Sequence, residues 1–198
     1  MNDAQVSELL YQSLEVEIGG QRVYERAIAC AQNDDLREEW QKYLDETRTH
    51  EEILRATFDR IGLDPEVETP GRAVVRFKAE SLVKSMSMAA SDGGPAAAQL
   101  VAAECVVEAE TKDHQDWELI GRVAEKSTGE MKAALQEAYE QVEEQEDQHL
   151  YHTMGWAREL WIESLGLPAV LPPPEEEKKV VTAIGAARAE QAREEMLS

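Results

Sequence analysis

Positive charge is what this chain has least of. Its 198 residues carry 20 Lys and Arg against 41 Asp and Glu, for a formal net charge of -21. Phosphate is bound by clustered Lys and Arg, so the deficit argues against nucleic acid as a partner. Cations suit such a chain better, although most of the excess reads as Glu on solvated faces, where it serves solubility. Cysteine is scarce too. Cys30 and Cys105 are the two in the chain, and they offer neither a CxxC pair nor a disulfide framework, as expected of a protein kept in a reducing cytoplasm. No stretch approaches the roughly 18 uninterrupted apolar residues of a membrane span. The N-terminal MNDAQVSELL lacks the basic and apolar regions of a secretory signal, so a soluble, non-exported protein is expected. The length suits one ordinary domain with a tail.

Helical periodicity runs through most of the chain, and no segment alternates with the period of a strand. From about Ala4 to Gln32, Val6, Leu10, Leu14, Tyr24, Ile28 and Ala31 recur in steps of three or four. After the capping residues NDD at 33–35, a second stripe of Leu36, Trp40, Tyr43, Leu54, Phe58 and Ile61 ends at Gly62. So short a connection predicts an antiparallel hairpin. An irregular Asp64 to Gly71 and a shorter amphipathic piece from Val74 to Ala90 read as a crossover. A third long helix is predicted from Pro95 to about Lys126, and STGE at 127–130 has the spacing of a capping box before a fourth that reaches about Leu165. Prolines in LPAVLPPP then end any helix, and an Ala-rich helical tail follows. The predicted architecture is all-α: an antiparallel four-helix bundle with one long crossover over residues 1–166, then a Pro-rich linker and C-terminal helical extension over 167–198.

Each of the four stripes is interrupted near its middle by acid or imidazole. The interruptions are Glu17 on the first helix and Thr47 and His50 on the second, with Glu46 beside them. On the third they are Glu110 and His114, with Glu104 at the edge, and on the fourth Glu146, His149 and His152. Burying an ionised carboxylate is costly, so four helices turning such groups inward call for a compensating charge. Glu146-x-x-His149 places a carboxylate and a ring nitrogen on one face, a donor set that suits iron or manganese. His114 and His152 read as hydrogen-bonded histidines outside the ligand set, Tyr24 and Trp117 as core aromatics, and Glu108 as an exposed acid. Trp156 and Trp161 are expected to pack on the C-terminal extension, and the two cysteines to be small buried groups.

With these pieces the chain resembles the ferritin-like di-iron carboxylate superfamily, rubrerythrins among them. EEQEDQH at 143–149 is similar to that family's fourth-helix motif, and Glu17 with Tyr24 seven residues on is similar to its first helix. DETRTHEEIL at 45–54 resembles the second and AAECVVEAE at 102–110 the third. The resemblance implies a centre of two iron ions, manganese, or a mixed pair, bridged by carboxylates and reacting with dioxygen or peroxide. Residues carried onto it are Glu17, Glu46, His50, Glu104 or Glu110, Glu146 and His149. Two departures stand out. Thr47 occupies the second helix where the family has a carboxylate three residues before the histidine, which leaves Glu46 to serve. On the third helix, mirroring about a turn near Ser127 sets Glu104 opposite His149, whereas the apolar stripe favours Glu110; both stay candidates, with the mirror tipping the choice to Glu104.

The function expected is oxidation of Fe(II) or reduction of dioxygen or peroxide. The alternatives are metal sequestration without turnover and a metal-free helical scaffold. A homodimer formed through the bundle or the tail is expected as well. Lacking a CxxC pair, the chain cannot form the rubredoxin-type iron site of rubrerythrins, so electrons must arrive another way.

Overall fold

The computed structural model describes residues 1–174, 192 and 195–197, and over these residues no strand occurs. The predicted helical tail falls largely at 175–191, outside the described residues. Five long helices make up the rest: α1 (Asp3–Cys30), α2 (Asp34–Ile61), α3 (Pro70–Asp92), α4 (Gly94–Lys126) and α5 (Gly129–Ser164). Their ends follow from local chemistry. Asn33 accepts a hydrogen bond from the Leu36 amide at 3.1 Å to open α2, and Gly62 closes it in the left-handed region at φ 74°. Thr69 caps α3 ahead of Pro70, so the crossover helix begins four residues earlier than its apolar pattern announces. The capping box expected at Ser127 does not form. The Ser127 hydroxyl donates back to the Val123 carbonyl at 2.8 Å, while Gly129 turns the chain at φ 61°.

Helices α1 and α2 form one antiparallel hairpin and α4 and α5 another. The first packs on the second through α1 against α4 and α2 against α5, and α3 lies along the outside of the α1–α4 seam. With α2, α3 and α4 all against it, α1 is buried around much of its circumference between Ser13 and Gly20. A Cβ added to Gly19 would stand 2.7 Å from that of Ala79, so glycine there is what lets α1 and α3 approach so closely. The same helices are pinned by a buried ion pair: Glu15 accepts from Arg72 at 3.1 Å and from Arg76 at 2.8 Å.

The interior divides into three levels. Around the α1–α2 turn lies an apolar cluster of Leu36, Trp40, Met86, Val106 and Trp156, among others, and around the α4–α5 turn another that includes Leu14, Leu54, Phe58, Trp117 and Leu135. Burying one Leu or Phe contributes about 1.5–3 kcal/mol relative to exposing it. The level between the clusters forgoes that contribution at six positions, where it carries carboxylates and imidazoles instead.

Candidate metal centre

Glu17 of α1, His50 of α2, Glu110 and Asp113 of α4, and Glu146 and His149 of α5 meet at mid-height, each at most 3% exposed. They fall into two groups that share Glu146. His50, Glu146 and His149 bring three donor atoms within 4.8 Å of one another, and Glu17, Asp113 and Glu146 do the same. Donors bonded to a single cation at about 2.1 Å lie at most about 4.2 Å apart, so each group needs little adjustment to hold one ion.

Both imidazoles face the cluster through Nδ1. The outward nitrogen of His50, Nε2, donates to Gln145 Oε1 at 2.7 Å, and that of His149 donates to Glu46 Oε2 at 3.0 Å. A proton held on Nε2 leaves the Nδ1 lone pair directed inward. His50 Nδ1 stands 3.0 Å from Glu146 Oε1, and His149 Nδ1 stands 3.5 Å from the same oxygen and 3.6 Å from Glu110 Oε2. These approaches are close, yet they are not aligned as hydrogen bonds. Glu17 Oε2, His50 Nδ1, Glu110 Oε2, Asp113 Oδ1, both Glu146 oxygens and His149 Nδ1 are all buried without a directed partner. Leaving one such atom unsatisfied costs about 1–3 kcal/mol, so their concentration in one spot calls for an external partner. Two divalent cations bring as much positive charge as four carboxylates bring negative, with the imidazoles neutral.

Electrostatics divide the acids. Burial lifts Glu17 to about 8 despite the opposing pull of His50 and a hydrogen bond donated by Trp117 Nε1 at 2.8 Å. Burial likewise raises Glu110, and raises Asp113 well above the usual carboxylate range, with the charge of Glu146 adding to both. Glu146 goes the other way: burial opposes ionisation, but His149 and His50 outweigh it and hold the group at about 2. The histidines move up in turn, because their acidic neighbours outweigh the effect of burial. Without a cation the cluster therefore stays neutral enough to be buried only by holding protons.

Of the residues picked out from sequence, Glu17, His50, Glu110, Glu146 and His149 converge here. Glu104 does not. It lies half-buried towards the outside, accepting from the Trp161 indole at 2.9 Å. The mirror that favoured it was misplaced: Gly121 lies against Tyr139, His114 pairs with Asp147 and Glu110 faces His149, pairs centred near residue 130 instead of Ser127. Side chains lean toward their own helix N-terminus, which shifts facing pairs in an antiparallel hairpin away from simple reflection about the turn.

Glu46 sits on the far side of His149, against Nε2, where it orients the ring and does not reach the cluster. Thr47 is buried but turns its hydroxyl to the Tyr43 carbonyl at 2.8 Å. The fourth inward carboxylate is Asp113, which sequence reading missed. Its signal was present: Glu110-x-x-Asp113 repeats the spacing of Glu146-x-x-His149. Trp161, expected against the extension, is 45% exposed, whereas Trp156 is fully buried. His114 and His152 pair with Asp147 at 3.3 Å and Glu39 at 2.6 Å, outside the cluster, and both cysteines are buried and unbridged.

Comparison with family models, with curated proteins and with solved structures found no significant match. None of the described helices is long and apolar enough to cross a membrane.

Proposed function

We propose that the protein is a ferritin-like di-metal carboxylate protein that binds two iron ions, or manganese or a mixed pair, and oxidises Fe(II) or reduces dioxygen or peroxide. The observation that carries this reading is the pair of buried donor groups sharing Glu146, with seven donor atoms left without directed partners. Four carboxylates and two imidazoles form a donor set suited to iron or manganese. Bound there, such ions would supply one-electron redox chemistry at neutral pH.

The chain's own residues have distinct parts. Glu146 lies between the two groups and is the bridging candidate. His50, His149 and Glu110 surround one position; Glu17 and Asp113 surround the other. Gln145 and Glu46 hold the two rings with Nδ1 inward, and Trp117 steadies Glu17 through its indole N–H. The apolar clusters above and below exclude water, which strengthens every charge interaction at the site.

Metal content of protein purified without chelator, followed by anaerobic calorimetric titration with Fe(II), tests the reading. Two equivalents are expected to bind, and Glu146→Ala with His149→Ala is expected to abolish retention while circular dichroism keeps its helical signal. Full metal load in the double variant overturns the assignment. A metal-free scaffold draws on the raised values at Glu17, Asp113 and the histidines, since protons can neutralise the cluster. Failure of the wild type to bind Fe(II) or Mn(II) favours it. Stopped-flow oxidation of bound Fe(II) separates turnover from sequestration.

A further inference from the structure

Where α3 lies along the α1–α4 seam, the three helices leave an open pocket of about 460 Å³. None of the six clustered donors lines it: Val16, Gly20 and Val23 form its floor on α1, beside the inward-facing Glu17 and Tyr24 but not including them. The seating of α3 explains the space. Gly19 lets α3 close onto one flank of α1, where Glu15 also clasps Arg72 and Arg76. The wedge left between α3 and α4 is faced by Ala79, Ser81 and Ala109, side chains too small to fill it. Packed helices seldom leave such openings, and this one falls within the about 300–1,000 Å³ of small-molecule sites.

The pocket has two unlike ends. Cys105 Sγ donates to the Leu82 carbonyl at 3.7 Å, and from that contact α3 and α4 run antiparallel. Val23, Leu82 and Ala109 make the end near this contact apolar. About one to two turns further on, Lys78 of α3 and Lys112 of α4 come to the same height beside Val75 and Val16. Lys78 is exposed, while Lys112 is 32% exposed at the side chain and pairs with the buried Asp116, which holds its stem along the wall.

We propose that this pocket binds a single-chain amphipathic anion, with its carboxylate between Lys78 and Lys112 and its alkyl chain along Val16, Val23, Leu82 and Ala109. The chain supplies affinity by leaving water, and the head fixes the direction of binding. From Val16 to Val23 the floor runs about 10 Å, seven residues at the helical rise, which accommodates a medium-length chain laid lengthwise. Charge selects the sign of the head. In a sequence with 41 acidic residues against 20 basic ones, two lysines at one mouth run against the trend. The net charge of -21 repels anions at a distance, but salt screens that repulsion over about 10 Å at 0.1 M, so the nearest ammonium groups decide within the mouth. Glu108 is the one acid on the lining; it is exposed, and it stands a turn from Lys112 towards the Leu82 end, which keeps the head on the lysine side. Because no metal donor lines the pocket, the site stands or falls independently of the di-metal centre.

Calorimetric titration of the full chain with dodecanoate, kept below the concentration at which it forms micelles, tests the site. One equivalent is expected to bind, with dodecyltrimethylammonium, the same chain on a cationic head, at least tenfold weaker. Lys78→Glu, a change at an exposed position, should weaken dodecanoate binding at least tenfold. Ser81→Trp, which fills the pocket from α3, should abolish it, with circular dichroism showing the helical signal of both variants intact. Fe(II) binding, measured in the same way, should be unchanged in both. The inference is overturned if dodecanoate does not bind, if the cationic analogue binds equally well, or if either folded variant keeps the wild-type affinity. Binding to vesicles of anionic phospholipid with monomeric dodecanoate ignored also overturns it, because the attraction would then be to a membrane surface and not to a single chain.

Discussion

Two buried glutamates stand two residues apart on α1 and are treated in opposite ways. Glu15 is 2% exposed and paired with two guanidinium groups, Arg72 and Arg76 of α3. Glu17 is fully buried, receives one indole N–H, and has its second oxygen unsatisfied. The first shows how this chain neutralises an interior carboxylate when the purpose is architecture: it brings arginine from the crossover helix. Among the described residues no Lys or Arg pairs with the second, although His50 Nδ1 lies 3.8 Å away. A buried acid supplied with arginine is a tie between helices. Among the described residues, the group of buried acids around Glu17 meets imidazoles and an indole but no Lys or Arg, which is the arrangement the proposed cations would complete.

Substitution sharpens the contrast. Glu15→Ala leaves Arg72 buried without its partner and is expected to cost about 3–5 kcal/mol in urea unfolding, whereas Glu17→Gln should leave the metal-free protein equally or more stable, because it removes an acid that burial disfavours. Equal destabilisation by both would erase the distinction. The effects on metal should be reversed: Glu17→Gln weakens Fe(II) binding and Glu15→Ala, in whatever folds, does not.

Next in size come the residues that aim the histidines. Glu46→Gln and Gln145→Leu are each expected to weaken Fe(II) binding by about 10–100-fold, the range found where a group behind a ligand is removed. Calorimetric titration measures this, and an unchanged affinity in both would mean that neither residue orients its ring.

Proton linkage gives a smaller but signed effect. In the fold Glu17 keeps its proton to about 8, whereas its ordinary value is 4.5, so over that interval the folded state binds more protons than the unfolded one. Stability of the metal-free protein should therefore fall as pH rises from 4.5 to about 8, the histidines adding to the loss above 6.5 because their values are raised as well. Glu146 acts in the other direction: its contribution is present above 4.5 and is lost as pH falls towards about 2. Thermal melts across this range, with and without Mn(II), check the sign, because bound metal should flatten the decline by replacing the protons. Smallest of all is Glu104→Gln, which should leave metal affinity unchanged and stability within about 0.5 kcal/mol, since its contact is at the surface.

Much of the architecture was legible because helices declare themselves locally: apolar spacing gave five helical segments, and Asn33, Gly62 and Pro95 marked three of their ends. The capping box at Ser127 failed because a neighbouring glycine offered the chain another way to turn. At the centre, Glu17, His50, Glu146 and His149 were readable as polar breaks in apolar stripes. The exchange of roles between Glu46 and Asp113 was not readable. Both lie beside their helix's central stripe, and which of two adjacent flanks faces inward depends on how each helix is rotated against its partners.

By itself, then, the sequence determined that the chain is helical, where the helices break, and that acids and imidazoles occur at matching heights, because these depend on neighbours within a few residues. Tertiary structure alone decided which of those groups meet. It set the α4–α5 register near residue 130, placed Glu104 outside and Asp113 inside, and turned Nδ1 of both histidines inward. The physical reason is that rotation and register between helices are fixed by packing along their whole length, through contacts such as Gly19 on Ala79 and Gly121 on Tyr139 that join residues far apart in the chain.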